Sequence, residues 1–166
     1  MFGGCGASLL LTRELIDDLG GLDPALFMYY EDLDLAWRAR LRGWRFLYAP
    51  DSVVEHVCGG QSGAASPFLL RHTERNRTLV NLRNAPPALA LFAAVGPVLR
   101  FGRLLSRYLT ARTRYGLAAA HLLAMAAAAG SVLIRLPATL LGRYEVRVAR
   151  RLSPDRVIRR FIRSSP

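Results

Sequence analysis

Three carboxylates, Glu31, Asp32 and Asp34, stand within four positions directly after Tyr29 and Tyr30. Two kinds of chemistry fit that grouping. Acids in the first turn of a helix complement the positive end of its dipole, which alone accounts for many such clusters. A carboxylate at a helix start is also a rigid, partly solvent-open base. It suits a reaction in which an alcohol hydroxyl, whose own pKa is very high, must lose its proton as it attacks. Asp34 also has Arg38 four residues on, the spacing of an intrahelical ion pair.

The surrounding pattern supplies elements to hold these groups. A glycine-rich loop, Gly3-Gly4-Cys5-Gly6, runs into Ala7–Leu11, which reads as a buried strand. Thr12 is placed to cap a short helix carrying Leu15, Ile16 and Leu19 on one face, and Gly20-Gly21 ends it. Leu33, Ala36, Trp37 and Leu41 then fall at helical spacing, with Gly43 as the stop. Trp37 reads as core, whereas Trp44 can face either way. Arg45–Ala49 and Val53–Val57 read as strands on either side of a Pro50-Asp51-Ser52 turn, and Gly59–Pro67 as a small-residue loop. A third helix is expected over Phe68–Leu82, with Arg71, Glu74, Arg75 and Arg77 on its polar side. Pro86-Pro87 marks a boundary, giving an α/β unit over residues 1–84 and a helical tail over 85–166.

Charge divides the chain at the same place. Its net charge is +11, with 23 basic residues, all arginine, against 12 acids. Up to Asn84 acids and bases nearly balance; beyond it only Glu145 and Asp155 oppose the arginines. In the tail, Ala88–Val98 is a short apolar run and the segment from Arg100 to Leu109 a basic amphipathic helix. Residues 115–134 lack formal charge over the length of one bilayer-spanning helix, yet they are alanine-rich and contain His121 and Ser131. They read either as a membrane span or as a helical hairpin packed on itself. Beyond Pro137 a last basic helical segment ends near Ser153-Pro154, and Val157–Ile162 repeats the basic amphipathic theme. Arginines alternating with leucine, valine and alanine suit an anionic membrane surface. With few aromatics between them and no recognition motif, they do not read as a nucleic-acid interface. Cys5 and Cys58 lack the paired spacing of a zinc site or disulfide framework, and Met1-Phe2-Gly3-Gly4 lacks the pattern of a secretory leader, so a cytosolic setting is expected.

Several stretches together carry a family resemblance. Gly6-Ala7-Ser8-Leu9 with Thr12-Arg13, Gly20-Gly21-Leu22-Asp23, Phe27 through Arg38, Gly43-Trp44, Val53-Val54-Glu55-His56 and Glu74-Arg75-Asn76 follow one another as in the family 2 glycosyltransferases. The rhamnosyltransferase-like members of bacterial polysaccharide synthesis are the most similar. The resemblance covers roughly half the chain and implies the acceptor-side half of a GT-A fold. It implies Asp32 as catalytic base, Glu31 as its support or as orienter of the acceptor, and Tyr29 and Tyr30 as acceptor contacts. His56 is implied as a metal or diphosphate ligand, although a lone histidine at a strand end is as readily structural. Arg75 is placed either to grip a diphosphate or to lie as a solvated helix-face arginine. Implied partners are a nucleotide-sugar donor, a glycan or lipid-linked acceptor, and a divalent cation, Mg or Mn, in the complete enzyme. The nucleotide-binding half is not found in these residues, and Asp32-Leu33-Asp34, which has the letters of that half's Asp-x-Asp metal motif, stands at the position of the family's later acidic element. Independent activity is therefore not expected without that half, supplied in the same gene product or by a separate polypeptide. The location expected is the cytoplasmic face of the membrane, peripheral or with one spanning helix. A non-catalytic membrane-associated remnant is the alternative.

Overall fold

A computed structural model describes residues 1–56, 66–110 and 115–162, without side-chain detail for Tyr108, residues 115–118, Phe161 and Ile162. It contains six helices: α1 (Arg13–Leu19), α2 (Glu31–Leu41), α3 (Pro67–Asn84), α4 (Pro87–Thr110), α5 (Tyr115–Ala149) and α6 (Pro154–Ile162). Local chemistry sets their ends. Thr12 accepts from Leu15 N at the start of α1, and Gly20, in the left-handed region, closes it. Ser66 caps α3 through Leu69 N, with Pro67 in the first turn where its missing N–H costs nothing.

The α/β fold class expected from the sequence is not found. Among the described residues there is no strand, and the GT-A-type half-domain is not seen. The segments read as strands are extended but unpaired, with Leu10 98%, Leu47 87% and Val53 83% exposed. β-branched and aromatic residues favour a pleated, half-buried surface, but a strand forms only where a neighbour supplies backbone partners. Leu9, Leu11 and Phe46 pack into one apolar cluster, but no strand pairing forms there among the described residues. Val57 and most of the expected Gly59–Pro67 loop fall outside the described residues.

The helices pack around α3, which meets α5 over most of its length and also meets α4 and α2; α1 and α6 pack on α2. One face of α2 sends Leu35 and Ala39 into a cluster with Leu15, flanked by Leu9, Leu11, Leu19, Trp44 and Phe46. The other sends Trp37 and Leu41 into a second cluster with Leu26, Val80, Ala85 and Val157. The tail is drawn into that core: Arg151 N and Leu152 N both donate to Leu41 O, at 2.8 and 2.9 Å. Close approach of α5 to α3 depends on Gly142, where a Cβ would lie 3.0 Å from Arg83 Cδ. One residue on, Arg143 Nη1 donates to Leu82 O and Ala85 O, satisfying carbonyls at the end of α3.

The apolar run and the basic segment expected separately after Pro87 form one helix, α4, which continues through Pro97; α5 likewise continues through Pro137. An internal proline removes one hydrogen bond and crowds the preceding turn, and in helices of 24 and 35 residues the many remaining bonds carry the helix past it. Two helical stretches are long and apolar enough to cross a membrane, Pro87–Arg107 and Ala119–Ala149, each with mean hydropathy 1.6. Their outer surfaces are bare: Phe92 is 67% and Ile134 82% exposed.

Candidate active site

The turn in front of α2 is held in a conformation that its residues do not favour. Phe27 (φ 63°), Tyr29 (φ 67°) and Tyr30 (φ 70°) all have left-handed backbone without being glycine. Such geometry costs on the order of 1–3 kcal/mol per residue and persists only where the surroundings impose it. Asn76, fully buried on α3, imposes it. Its side-chain nitrogen lies 2.9 Å from Leu26 O, 2.8 Å from Met28 O and 2.7 Å from Tyr29 O. Arg75 Nη2 adds a bond to Leu26 O at 2.8 Å, and Arg75 Nε donates to Asn76 Oδ1 at 2.7 Å. Arg75 is thus buried and committed to the turn rather than lying on a solvated face.

The turn delivers the chain into α2 with its acids in the first turn. Their fates differ. Asp34 is wholly buried and accepts from Arg38 Nε at 2.7 Å, Asn84 Nδ2 at 2.8 Å and Arg83 Nη2 at 3.2 Å. Arg83 also meets Asp23 at 2.5 Å, and Arg38 donates to Leu19 O and Gly21 O, both at 2.8 Å. Asp34 therefore ties α1, α2 and α3 together, and the i,i+4 pairing read from the sequence is one strand of that knot.

Asp32 and Glu31 are only half-buried. Gly6 N donates to Asp32 Oδ2 at 3.0 Å and Leu33 N to Asp32 Oδ1 at 2.7 Å, which fixes the carboxylate plane. Each oxygen keeps a further lone pair for a ligand hydroxyl. Among the described residues Glu31 Oε2 is buried without a hydrogen-bond partner, a costly condition that a ligand donor would relieve. The glycine-rich loop roofs both groups: a Cβ on Gly6 would lie 3.7 Å from Glu31 Oε1 and 3.8 Å from Asp32 Oδ2. Loop, turn and helix start thus bring Glu31, Asp32 and the Tyr29-Tyr30 backbone to one place.

Tyr30 also borders Glu74 and Arg100. Burial, and then the Glu74 charge, push its phenol above the ordinary value, while Arg100 acts in the opposite sense. Burial likewise raises Glu74, countered by Arg100. His72 packs its ring against Phe68 and Phe27, with centroids 4.4 and 5.8 Å away, and burial followed by repulsion from Arg75 and Arg71 lowers its pKa.

The remaining candidates stand apart from this group. His56 is exposed at the last described position before residues 57–65. No group of three or more His, Cys, Asp or Glu side chains among the described residues is arranged to hold a metal ion. Cys5 is a free, exposed thiol, and Cys58 lies outside the described residues.

Sequence reasoning gave no role to Asn76 or Asn84. The signal was present: Asn76, Val80 and Asn84 follow at i,i+4 and line one buried stripe of α3. Polar residues in such a stripe mark positions that must satisfy something across the interface.

Comparisons with known proteins bear on the first half of the chain. Residues 1–81 match the family described as Glycosyltransferase like family 2. The chain is 41% identical over 51 residues to the N-acetylglucosaminyl-diphospho-decaprenol L-rhamnosyltransferase of Mycobacterium tuberculosis, in strains CDC 1551 / Oshkosh and ATCC 25618 / H37Rv. The match covers 31% of this chain and 17% of each relative, so the chain spans under a fifth of the relatives it matches. No solved structure matches the chain. Together these findings support a family 2 glycosyltransferase relationship for the first half of the molecule.

Proposed function

We propose that residues 1–81 form the acceptor side of a glycosyltransferase that moves a sugar from a nucleotide-sugar to a lipid-linked acceptor in bacterial cell-surface polysaccharide synthesis. The observation that carries this reading is the pairing of Asp32, fixed by Gly6 N and Leu33 N, with Glu31, whose buried Oε2 lacks a partner. The family match over the same residues sets the reaction class. The name of the mycobacterial relatives, which act on a diphospho-decaprenol-linked sugar, motivates the acceptor class.

In the proposed step Asp32 accepts the proton of an acceptor hydroxyl while Glu31 Oε2 accepts a hydrogen bond from a neighbouring hydroxyl and so orients the acceptor. The freed oxygen forms a bond to the anomeric carbon of the donor. The bond from that carbon to the nucleoside diphosphate breaks and its electrons leave with the phosphate, inverting the carbon. General-base assistance of this kind contributes roughly 10²–10⁴ in rate. The strained turn holds the carboxylates where the acceptor arrives, and fixed geometry is what makes such a base effective.

The two helices long and apolar enough to cross a membrane support a reading in which the protein works at the cytoplasmic membrane face, where a lipid-linked acceptor is presented. The test is transfer of labelled sugar from nucleotide-sugars into organic-extractable lipid by membranes from cells expressing the chain together with the nucleotide-binding half that the resemblance implies. Label should appear only with expression and only with a prenyl diphosphate-linked acceptor. Label on soluble glycans alone would remove the acceptor assignment.

A further inference from the structure

Positive charge is crowded where α3 meets α4. Arg77 Nη2 donates to Glu74 Oε2 at 2.9 Å, and from α4 Arg100 Nη2 reaches the same oxygen at 3.2 Å. Gly96, one turn before Arg100, leaves both guanidinium groups against bare backbone. A Cβ there would lie 3.5 Å from Arg100 Nη2 and 3.5 Å from Arg77 Nη2. One carboxylate oxygen therefore answers two cations.

Glu74 is the one acid in α3 and α4, and among the described residues it is the carboxylate paired with both Arg77 and Arg100. Arg71 and Arg75 lie on the same helix, and Arg135 of α5 faces them. Burial first, then repulsion by Arg135 and Arg71, pushes the Arg75 guanidinium below its ordinary value. The surplus opens outward through Arg100, whose side chain is 44% exposed against 8% for Glu74. Arg77 Nε is buried without a hydrogen-bond partner. Such a cluster calls for an anion with several oxygens, which guanidinium groups hold bidentately.

Its neighbours narrow the anion. On one side is Tyr30, immediately before Glu31 and Asp32. On the other, α4 carries exposed Leu91, Phe92, Val95, Val98 and Leu99 up to Arg100. A ligand that joins a sugar, a diphosphate and a long apolar chain in that order matches this sequence of surfaces. We propose that Arg77 and Arg100 seat the diphosphate of a prenyl-linked acceptor, with Arg100 gripping it from the apolar helix. The naming of the acceptor rests on the glycosyl-transfer reading; the charge cluster does not.

The test is binding of the full chain to phosphatidylcholine vesicles carrying a long-chain polyprenyl diphosphate. Vesicles with the diphosphate should bind about tenfold more tightly than vesicles without it, as one charge-assisted bidentate contact allows. Arg100→Ala should abolish that preference, and Arg100→Lys, which keeps charge but not the fork, should restore part of it. Arg147→Ala, in the last turn of α5, should leave it unchanged. Equal losses in the Arg100 and Arg147 variants, or no loss in either, would overturn the seat. Arg100-dependent binding of uridine diphosphate in solution, with no added preference for the prenyl form, would overturn the lipid assignment. Binding through Arg100 in a protein that transfers no sugar would support the seat while removing the catalytic reading. Transfer that is normal alongside binding indifferent to Arg100 would do the reverse.

Discussion

Around the start of α2, Asn76 and Arg75 grip the backbone from Leu26 to Tyr29 and Gly6 holds Asp32, whereas along α4 and α5 Leu91, Phe92, Leu133 and Ile134 stand largely exposed. The first region spends polar contacts on shape: backbone strain is imposed and carboxylates are fixed. The second keeps its polar contacts on the side facing α3 and presents apolar area outward. Position matters to a proton transfer at the scale of a hydrogen bond, while partition into a bilayer depends on area alone. The contrast teaches that the protein keeps rigidity for the proposed chemistry and leaves its proposed attachment to surface.

The contrast can be broken from either side. The largest effect is expected at Asp34, where Asp34→Ala leaves Arg38, Arg83 and Asn84 without their shared partner. Removing one side of such a buried pair costs roughly 3–5 kcal/mol, to be read from chemical denaturation. On the other surface, Leu91→Glu with Phe92→Glu should leave the melting temperature nearly unchanged. It should weaken vesicle binding by about tenfold to a hundredfold, the loss of one or two apolar anchors. An unfolded double variant would show instead that this face packs against protein.

Asn76→Ala removes the donor that three turn carbonyls share. A loss of about 1–3 kcal/mol is expected, because those carbonyls become unsatisfied and the strained residues relax. Faster amide exchange confined to residues 26–30 would locate it. The smallest effect concerns Asp18, whose carboxyl is held below its ordinary value, first by the Trp44 Nε1 hydrogen bond at 2.8 Å and, against a desolvation penalty, by Arg42 at 2.6 Å. A lowered folded-state pKa contributes stability that is complete above the unfolded carboxylate value and is lost as pH falls through the folded one. Asp18→Asn should therefore lower stability near neutrality by roughly 0–1 kcal/mol, the range of a solvent-screened pair, and leave it unchanged at pH below the folded value, which flattens the acid limb.

These residues also show what the sequence made legible. Thr12, Gly20 and Gly43 mark helix ends through chemistry confined to a few neighbours, and the helical spacing of Leu33, Trp37 and Leu41 shows a helix without knowledge of what it packs against. Arg45–Ala49 and Val53–Val57 misled, because apolar residues report a taste for a sheet while pairing depends on a distant segment. Pro137 misled in the opposite direction: a residue that disfavours a helix locally sits within α5, where α3 packs alongside. The docking of α6 against α2, with Val157 joining Trp37 and Leu41, has no local signal at all. At the site, Glu31 and Asp32 were readable by type and place. Arg75 was readable as important but not as a turn clamp, since its partner Leu26 lies 49 residues away.

The account stands most directly on the division of labour within one helical turn, between Asp32 and Asp34. The measurement is sugar transfer to a prenyl diphosphate-linked acceptor, normalised to folded protein, for Asp32→Asn and Asp34→Asn side by side in membranes expressing the chain together with the nucleotide-binding half. The account predicts that Asp32→Asn keeps the wild-type melting temperature and loses about 10²–10⁴ in rate, as loss of a general base would. It predicts that Asp34→Asn melts early yet transfers at close to the wild-type rate per folded molecule. Near-normal transfer by Asp32→Asn would contradict it.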